Sequence, residues 1–516
     1  MTDNRPNKLG NLFNGRMAMK RREWRGFADT MRDFGWWLST WGQLSKMVLG
    51  MPVRFTKALF RYRWLASYLS TPAFIDRHTL GQRNTQLRIT HIHFDALVKA
   101  TIKVVVNTLK ADANLGESKK QKARSDRIVL FDEMMMLQVM AGFPNLVGIP
   151  YQLVPVFECS LMDQQSSIPY IDAIESYGLP SDTCPLPTAE AGVAIEDDYP
   201  RMGKCFIAST MPCDGSVMST QYQERRLKLP SYPLALPVRY DDTLVEEEAV
   251  KDFEGCIKFI EDQTGETFDW DAFFTTMKRF NRETEYEMEK WEVNKTPYPQ
   301  ITGAGMALYR MYTYQMNGGI DPYYVEVDER VNKIMTAAYE RREKCSREQR
   351  HRAIVWSCPA HYYSNFATWA ENCWGINVLV DMESLNAVRP ISTESREQAL
   401  KDLAHYYERM TMRRHTNGGH PHVLEELWRV CEEFNADMVI MYQHVACKTM
   451  AGLNGLFDEQ ARERGIHLIW VEHDLMDPRT VSRRDMRGKV NKYMQTVLRE
   501  EPVDPTLVDF EDEKAW

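Results

Sequence analysis

Apolar and polar positions alternate with different periods in four successive stretches of the chain. Residues 1–125 read as a helical extension in which Trp24, Trp36, Trp37, Trp41, Phe55, Phe60 and Trp64 are interleaved with basic side chains. Its helix-like run beyond Lys99 gives way to the polar GESKKQKARSDR, which reads as a solvated linker. Between 126 and 245, IVLF, LVGIPYQL, KCFIAST and YPLALPV are short apolar runs with the length of strands, and MSTQYQERRLKL between the last two is helix-like. Residues 246–350 read as almost wholly helical. From 351 to 516 a second alternation appears, with RAIVWSCP, GINVLVDM, ADMVIMYQ and IHLIWVEHD as strand-like runs separated by helical ones. Strands alternating with helices predict parallel sheets covered on both faces. The expected architecture is therefore α/β: two parallel-sheet, Rossmann- or flavodoxin-like domains joined by a helical segment, with an N-terminal helical extension.

Composition narrows the classes. A chain of 516 residues exceeds one ordinary core, so several domains are expected. Hydrophobic residues at 44% and charged ones at 26% are those of a folded globular chain. No uncharged apolar run reaches the ~18 residues a membrane-spanning helix needs. The net charge of -8 argues against a nucleic-acid partner. Charge is unevenly spread, however: the first 65 residues hold thirteen basic side chains against Asp3, Glu23, Asp29 and Asp33. Basic, aromatic helices can lie on anionic membranes; an arm packed on the rest of the chain or on a partner subunit is the favoured reading. No continuous apolar core follows the first basic residues, so no signal peptide is expected and a cytoplasmic enzyme is.

Ten cysteines in such a chain are expected to be reduced. There is no CxxC, no HExxH and no GxxxxGK[ST]; TGAGMAL begins a GxGxxG but has Leu308 at its last position. In open α/β sheets functional residues sit beyond the carboxyl ends of strands. Cys213 follows FIASTMP, Cys358 follows RAIVWS, Cys447 follows VIMYQHVA, and Cys184 lies in the proline-rich GLPSDTCPLP. Cys256, Cys345, Cys373 and Cys431 fall in helix-like segments and read as structural. Any one cysteine is most simply a small packed side chain, but several at loop tips suit iron–sulfur ligation.

At three of these loops the chain resembles the 2-hydroxyacyl-CoA dehydratase family, which also contains the ATP-dependent benzoyl-CoA reductases. The matching segments are YGLPSDTCPLPTAEAG, KCFIASTMPCDGSVMSTQYQ leading to YPLALPV, and ADMVIMYQHVACKTMAG running into RGIHLIWVEHDLMDPRTVSRRDMRGKVNKYM. DQTGETFDWDAFFTTMKRFNRETEYEMEKW is similar to the helical insertion of these subunits. The resemblance spans roughly residues 126 to 500. It implies a [4Fe–4S] cluster on Cys184, Cys213 and Cys447, and the Cys447–Lys448 pair looks like the α-type, 2-hydroxyglutaryl-CoA dehydratase-like subunit. Three thiolates on a four-iron cluster leave one iron open to substrate oxygen, whereas four close it.

The resemblance further implies a related second subunit with its own cluster, an ATP-dependent activator as electron donor, and an acyl-CoA substrate losing water through a ketyl radical. A flavin is compatible with it, though no motif indicates one. Lys448, His444 and Tyr442 stand beside Cys447 as groups that could donate to cluster sulfur or substrate; Glu133 could orient substrate or cap a helix; Cys358, His361 and Tyr362 could line the acyl pocket or form a packed loop. Arg483, Arg484 and Arg487 read as a solvated helix face in preference to a site for CoA phosphates. The extension before residue 126 is longer than the family's. Two other readings stay open beside the dehydratase: an aromatic acyl-CoA reductase subunit, and a non-catalytic relay or scaffold subunit.

Overall fold

The computed structural model describes residues 26–66, 79, 81–131, 137–151, 165–209, 214–235, 243–303, 305–306, 309, 321–346, 348–385, 390–408 and 420–509. Two four-stranded sheets, each wholly parallel, organise the chain. The first runs β2–β1–β3–β4, with β1 at Ile128–Phe131, β2 at Val147–Pro150, β3 at Cys205–Ser209 and β4 at Ser231–Leu234. The second runs β6–β5–β7–β8, with β5 at His351–Trp356, β6 at Ile376–Asp381, β7 at Met438–His444 and β8 at His467–His473. The α/β expectation with two parallel sheets is thus met. IVLF of β1 and INVLVD of β6 are buried along their whole length, as strands covered by helices on both faces must be.

Each sheet reverses its strand order at one point, between β1 and β3 and between β5 and β7. Such switch points open a crevice at the carboxyl ends of the two central strands. Glu133 and Cys213 follow β1 and β3 in the sequence, but both lie outside the described residues. Cys358 and Cys447 follow β5 and β7.

Between the sheets lie the long helices Thr243–Thr264, Trp270–Lys295 and Pro322–Glu340. Asp269 starts the second by accepting from the amides of Asp271 and Ala272 at 2.9 and 3.0 Å, which satisfies donors that the first turn leaves open. Its far end is tied to β5 by Arg352, whose guanidinium donates to the carbonyls of Asn294, Lys295 and Thr296, and also to Phe434. Asn294, which begins a glycosylation-type tripeptide, is fully buried and donates to Ile301 and Leu379 carbonyls at 2.8 Å.

The basic extension forms a helix at Phe27–Gly50 that lays Asp33, Thr40, Leu44 and Met47 against the buried helix Asn84–Ala111. His91 meets Asp33 at 2.8 Å and stacks on Trp36 with ring centroids 4.5 Å apart. Further along, Trp64 is buried and donates to the Asp198 carbonyl at 3.0 Å. The arm therefore packs on the rest of the chain. The segment read as a solvated linker is solvated, with Gln121 buried, but is corrected from linker to helix: Lys119–Ser125 is helical, Ser118 accepts from the Gln121 amide, and Ser125 accepts from the Gly203 amide at 2.9 Å. Short polar side chains favour such caps over open coil. Cys345 is corrected too, lying in a bend beyond Glu340 and not in a helix. No described helix is long and apolar enough to cross a membrane.

Candidate functional site

Cys184 and Cys447 are 263 residues apart in number but belong to one locus. Cys184 is the residue before the Pro185–Ile195 helix, and the ring of Pro185 suits the first helical position because no amide is needed there. Cys447 ends the turn that leaves β7, its amide donating to the His444 carbonyl at 3.0 Å. Two contacts cross between the loops. His444 Nε2 lies 3.3 Å from Cys184 Sγ, and Lys448 Nζ reaches Asp182 at 2.7 Å. Both thiols are half-buried against the core cluster that contains Cys358, Met382 and Met476.

Cys358 stands behind them. Ser357 takes a left-handed φ of 68° while only 2% exposed, a conformation unfavourable for any residue with a Cβ and characteristic of functional turns. The turn drives Cys358 inward from the end of β5. Burial, the nearby Glu383 carboxylate, and Cys447 and Cys184 beyond it push the Cys358 thiol well above its ordinary range. It is a neutral thiol at physiological pH. Glu383 itself is buried on the turn after β6, where Asp381 accepts from the amide and hydroxyl of Ser384, both at 2.9 Å.

Three imidazoles surround the thiols. His444 is 3% exposed, and burial lowers its pKa to about 4. His473, at the end of β8, is fully buried, and burial followed by the neighbouring His444 holds it well below the ordinary histidine range. Its ring lies 5.6 Å from that of His444 and 4.9 Å from that of Tyr442. His361 is buried in the turn after Cys358, its amide held by the Leu475 carbonyl at 2.9 Å. His444 and His473 are thus neutral imidazoles close to the protonated Cys358 thiol.

Other expected residues fall elsewhere. Lys448 is exposed, and its ion pair with Asp182 joins the two cysteine loops at the surface. Tyr362 is buried and donates to the Val481 carbonyl at 2.8 Å, so it belongs to a packed turn. The solvated face expected of Arg483 and Arg487 is corrected. Both are 3% exposed: Arg483 donates to the Tyr362 carbonyl at 2.8 Å, Arg487 to the Tyr363 hydroxyl at 2.9 Å, and both lie over the Tyr363 ring. Planar guanidinium groups can be buried this way because stacking and directed donors replace water. Only Arg484 faces solvent. Glu383 and His473 are the residues that sequence reasoning passed over. Their signal was positional: each stands at or just beyond the end of an apolar strand, in INVLVDMES and IHLIWVEHD.

The two sheets are latched beside the site. Ser167 donates to the Met476 carbonyl at 2.9 Å, and Arg479 pairs with Asp172 at 2.8 Å. Among the described residues no three His, Cys, Asp or Glu side chains are arranged to hold a metal ion. Cys213, the third thiol of the expected set, lies outside them. The described part of the set nonetheless has the donor chemistry of an iron–sulfur site: two accessible sulfurs on loop tips, an N–H carrier beside one of them, and an apolar floor.

A family model described as 2-hydroxyglutaryl-CoA dehydratase, D-component, matches residues 147–496, about two-thirds of the chain. The matched span holds Cys184, Cys213 and Cys447 and leaves out the basic arm and Glu133. No curated protein matches the chain.

Proposed function

The chain belongs to the 2-hydroxyglutaryl-CoA dehydratase D-component family, and from that premise we propose that it is the cluster-bearing subunit of an enzyme that removes water from a 2-hydroxyacyl-CoA. The product is the 2-enoyl-CoA, with hydroxyl leaving C2 and a proton leaving C3. In this reading Cys184, Cys213 and Cys447 hold a [4Fe–4S] cluster, a related subunit pairs with this chain, and an ATP-dependent activator supplies the electron. When bound, such a cluster would supply one electron to the thioester carbonyl, so that the C2 hydroxyl could leave the resulting ketyl as hydroxide, and would take the electron back once the C3 proton has gone, leaving no net redox change.

The carrying observation is the meeting of Cys184 and Cys447 from separate α/β domains, with His444 3.3 Å from the Cys184 sulfur. His444 Nε2 is placed to hold the Cys184 sulfur, and in the tautomer that carries the ring proton on Nε2 its N–H would donate to the thiolate, orient it and stabilise its charge. Cys358, kept protonated by burial and Glu383, stays out of the ligand set. The Lys448–Asp182 pair fixes the separation of the two loops at the rim. Arg483 and Arg487 hold the 361–363 turn that follows Cys358.

Anaerobic purification with iron and acid-labile sulfide analysis tests the assignment. Wild type should hold about four irons per chain, and Cys184→Ala, Cys213→Ala and Cys447→Ala should each lose them. Absence of iron, or iron indifferent to all three substitutions, would remove the cluster and the reaction built on it.

A further inference from the structure

The Phe27–Gly50 helix buries one face and leaves the other uncovered. Phe27, Met31, Phe34, Leu38, Trp41 and Leu49 are between 37% and 76% exposed. Their spacing of three, four and eight residues puts all six within one narrow stripe, because 3.6 residues complete a turn. From Phe27 to Trp41 the stripe runs ~21 Å along a single helix, and the exposed Ser45 separates it from Leu49. The rings of Phe34, Trp37 and Trp41 form a contiguous ladder, with centroids 6.2 and 6.0 Å apart. Scattered exposed apolar residues need no explanation, but a continuous ridge of this length marks a contact surface.

Charge decides what fits it. The helix has only two carboxylates, Asp29 and Asp33; both are buried, and they are matched by Arg32 and His91. Exposed Lys46, and Lys57 on the following helix, carry positive charge beside the ridge. The 25 residues that precede the described arm add seven basic side chains against Asp3 and Glu23. The whole chain is nevertheless at -8, so the arm is net positive and the rest of the chain is net acidic. A symmetric pairing of two such ridges would bring like charges together. An anionic bilayer would attract the arm and repel the body, which also fixes orientation.

We propose that this ridge docks the protein peripherally on an anionic lipid surface, with the apolar stripe at the headgroup–acyl boundary and the cations among the headgroups. Aromatic and aliphatic side chains on one face with flanking Lys and Arg are the physical requirements of such an interfacial helix.

Flotation of the full chain with vesicles of phosphatidylcholine alone, or of equal parts phosphatidylcholine and phosphatidylglycerol, tests the proposal. Wild type should partition at least about ten-fold better onto the anionic vesicles, less so at high salt. Phe34→Asp with Leu38→Asp should abolish flotation. Both positions are exposed, so an unchanged circular dichroism spectrum is expected. Lys46→Glu with Lys57→Glu, which leaves the ridge intact, should weaken partitioning. Failure of wild type to float, or equal flotation of the Phe34→Asp/Leu38→Asp variant, overturns the proposal. So would a wild-type oligomer that this variant dissociates without any flotation, because the occupant would then be protein.

Discussion

Gly192 separates two accounts of the helix that presents Cys184. It lies inside Pro185–Ile195, where glycine costs ~1 kcal/mol relative to alanine. Helix propensity alone therefore predicts that Gly192→Ala stabilises. The packing predicts the opposite. A Cβ at 192 would lie 2.6 Å from the Tyr170 carbonyl carbon and 3.0 Å from its Cα, and closer still to its oxygen. These are backbone atoms of the Ile168–Ser176 helix, and comfortable carbon contacts are ~3.5–4.0 Å. The helices would have to part by ~1 Å, an overpacking strain of ~1–3 kcal/mol or more. Tyr170 resists that movement, because it is fully buried with its hydroxyl bonded to Asp198 at 2.6 Å. Set against the ~1 kcal/mol gained in propensity, the upper part of that range leaves a net loss of ~1–2 kcal/mol, which lowers the melting temperature by ~2–8 °C. The shift should be read by thermal unfolding beside Gly488→Ala, an exposed helical position with nothing within 4 Å of the added carbon. That control should hold or gain stability. A Gly192→Ala protein as stable as wild type would refute the close-packing argument. Iron retention adds a functional reading: the helix start carrying Cys184 should be displaced, and iron should bind less well.

Lys290 and Asp328 form an ion pair inside the helical segment, at 1% and 6% side-chain exposure. Lys290→Met should cost ~3–5 kcal/mol, and adding Asp328→Leu should restore most of it; chemical denaturation of the single and double variants measures both. His351 bridges Asp437 at 2.7 Å and Glu500 at 3.0 Å. Burial opposes its protonation, but the two carboxylates outweigh burial and raise its pKa, while Asp437 is lowered against its own burial chiefly by the His351 bond. The His351 contribution is fully present below the unfolded histidine pKa of ~6.5 and is lost as pH rises through the folded value. The stability gap between wild type and His351→Gln should therefore shrink as pH rises above the unfolded value of about 6.5; a constant or widening gap counts against the bridge. Cys358→Ala should leave the iron-to-protein ratio unchanged, and loss of iron would move Cys358 into the ligand set.

What the chain states locally is its parallel α/β character. The strands IVLF, INVLVD and MVIMYQH are continuous apolar runs because both faces of a parallel sheet are covered, so burial leaves a one-dimensional trace. The loops carrying Cys358 and Cys447 were legible for a related reason, since a residue just past such a run stands at the sheet's carboxyl edge, while Cys184 was marked by the prolines of its loop. Tertiary structure decided the partners. That His444 meets Cys184 depends on how the two sheets approach one another, a relation between residues 260 positions apart, whereas Glu383 and His473 reach Cys358 through the strand order of the second sheet alone. Arg483 and Arg487 show the limit best. Their charge and helical spacing point to solvent, whereas the Tyr363 ring and hydroxyl and the Tyr362 carbonyl help to make burial favourable. The outer stripe of the first helix is legible as amphipathic, but that it stays uncovered is known only once the other face is seen to pack. Periodicity records which side chains leave water; it does not record what they meet.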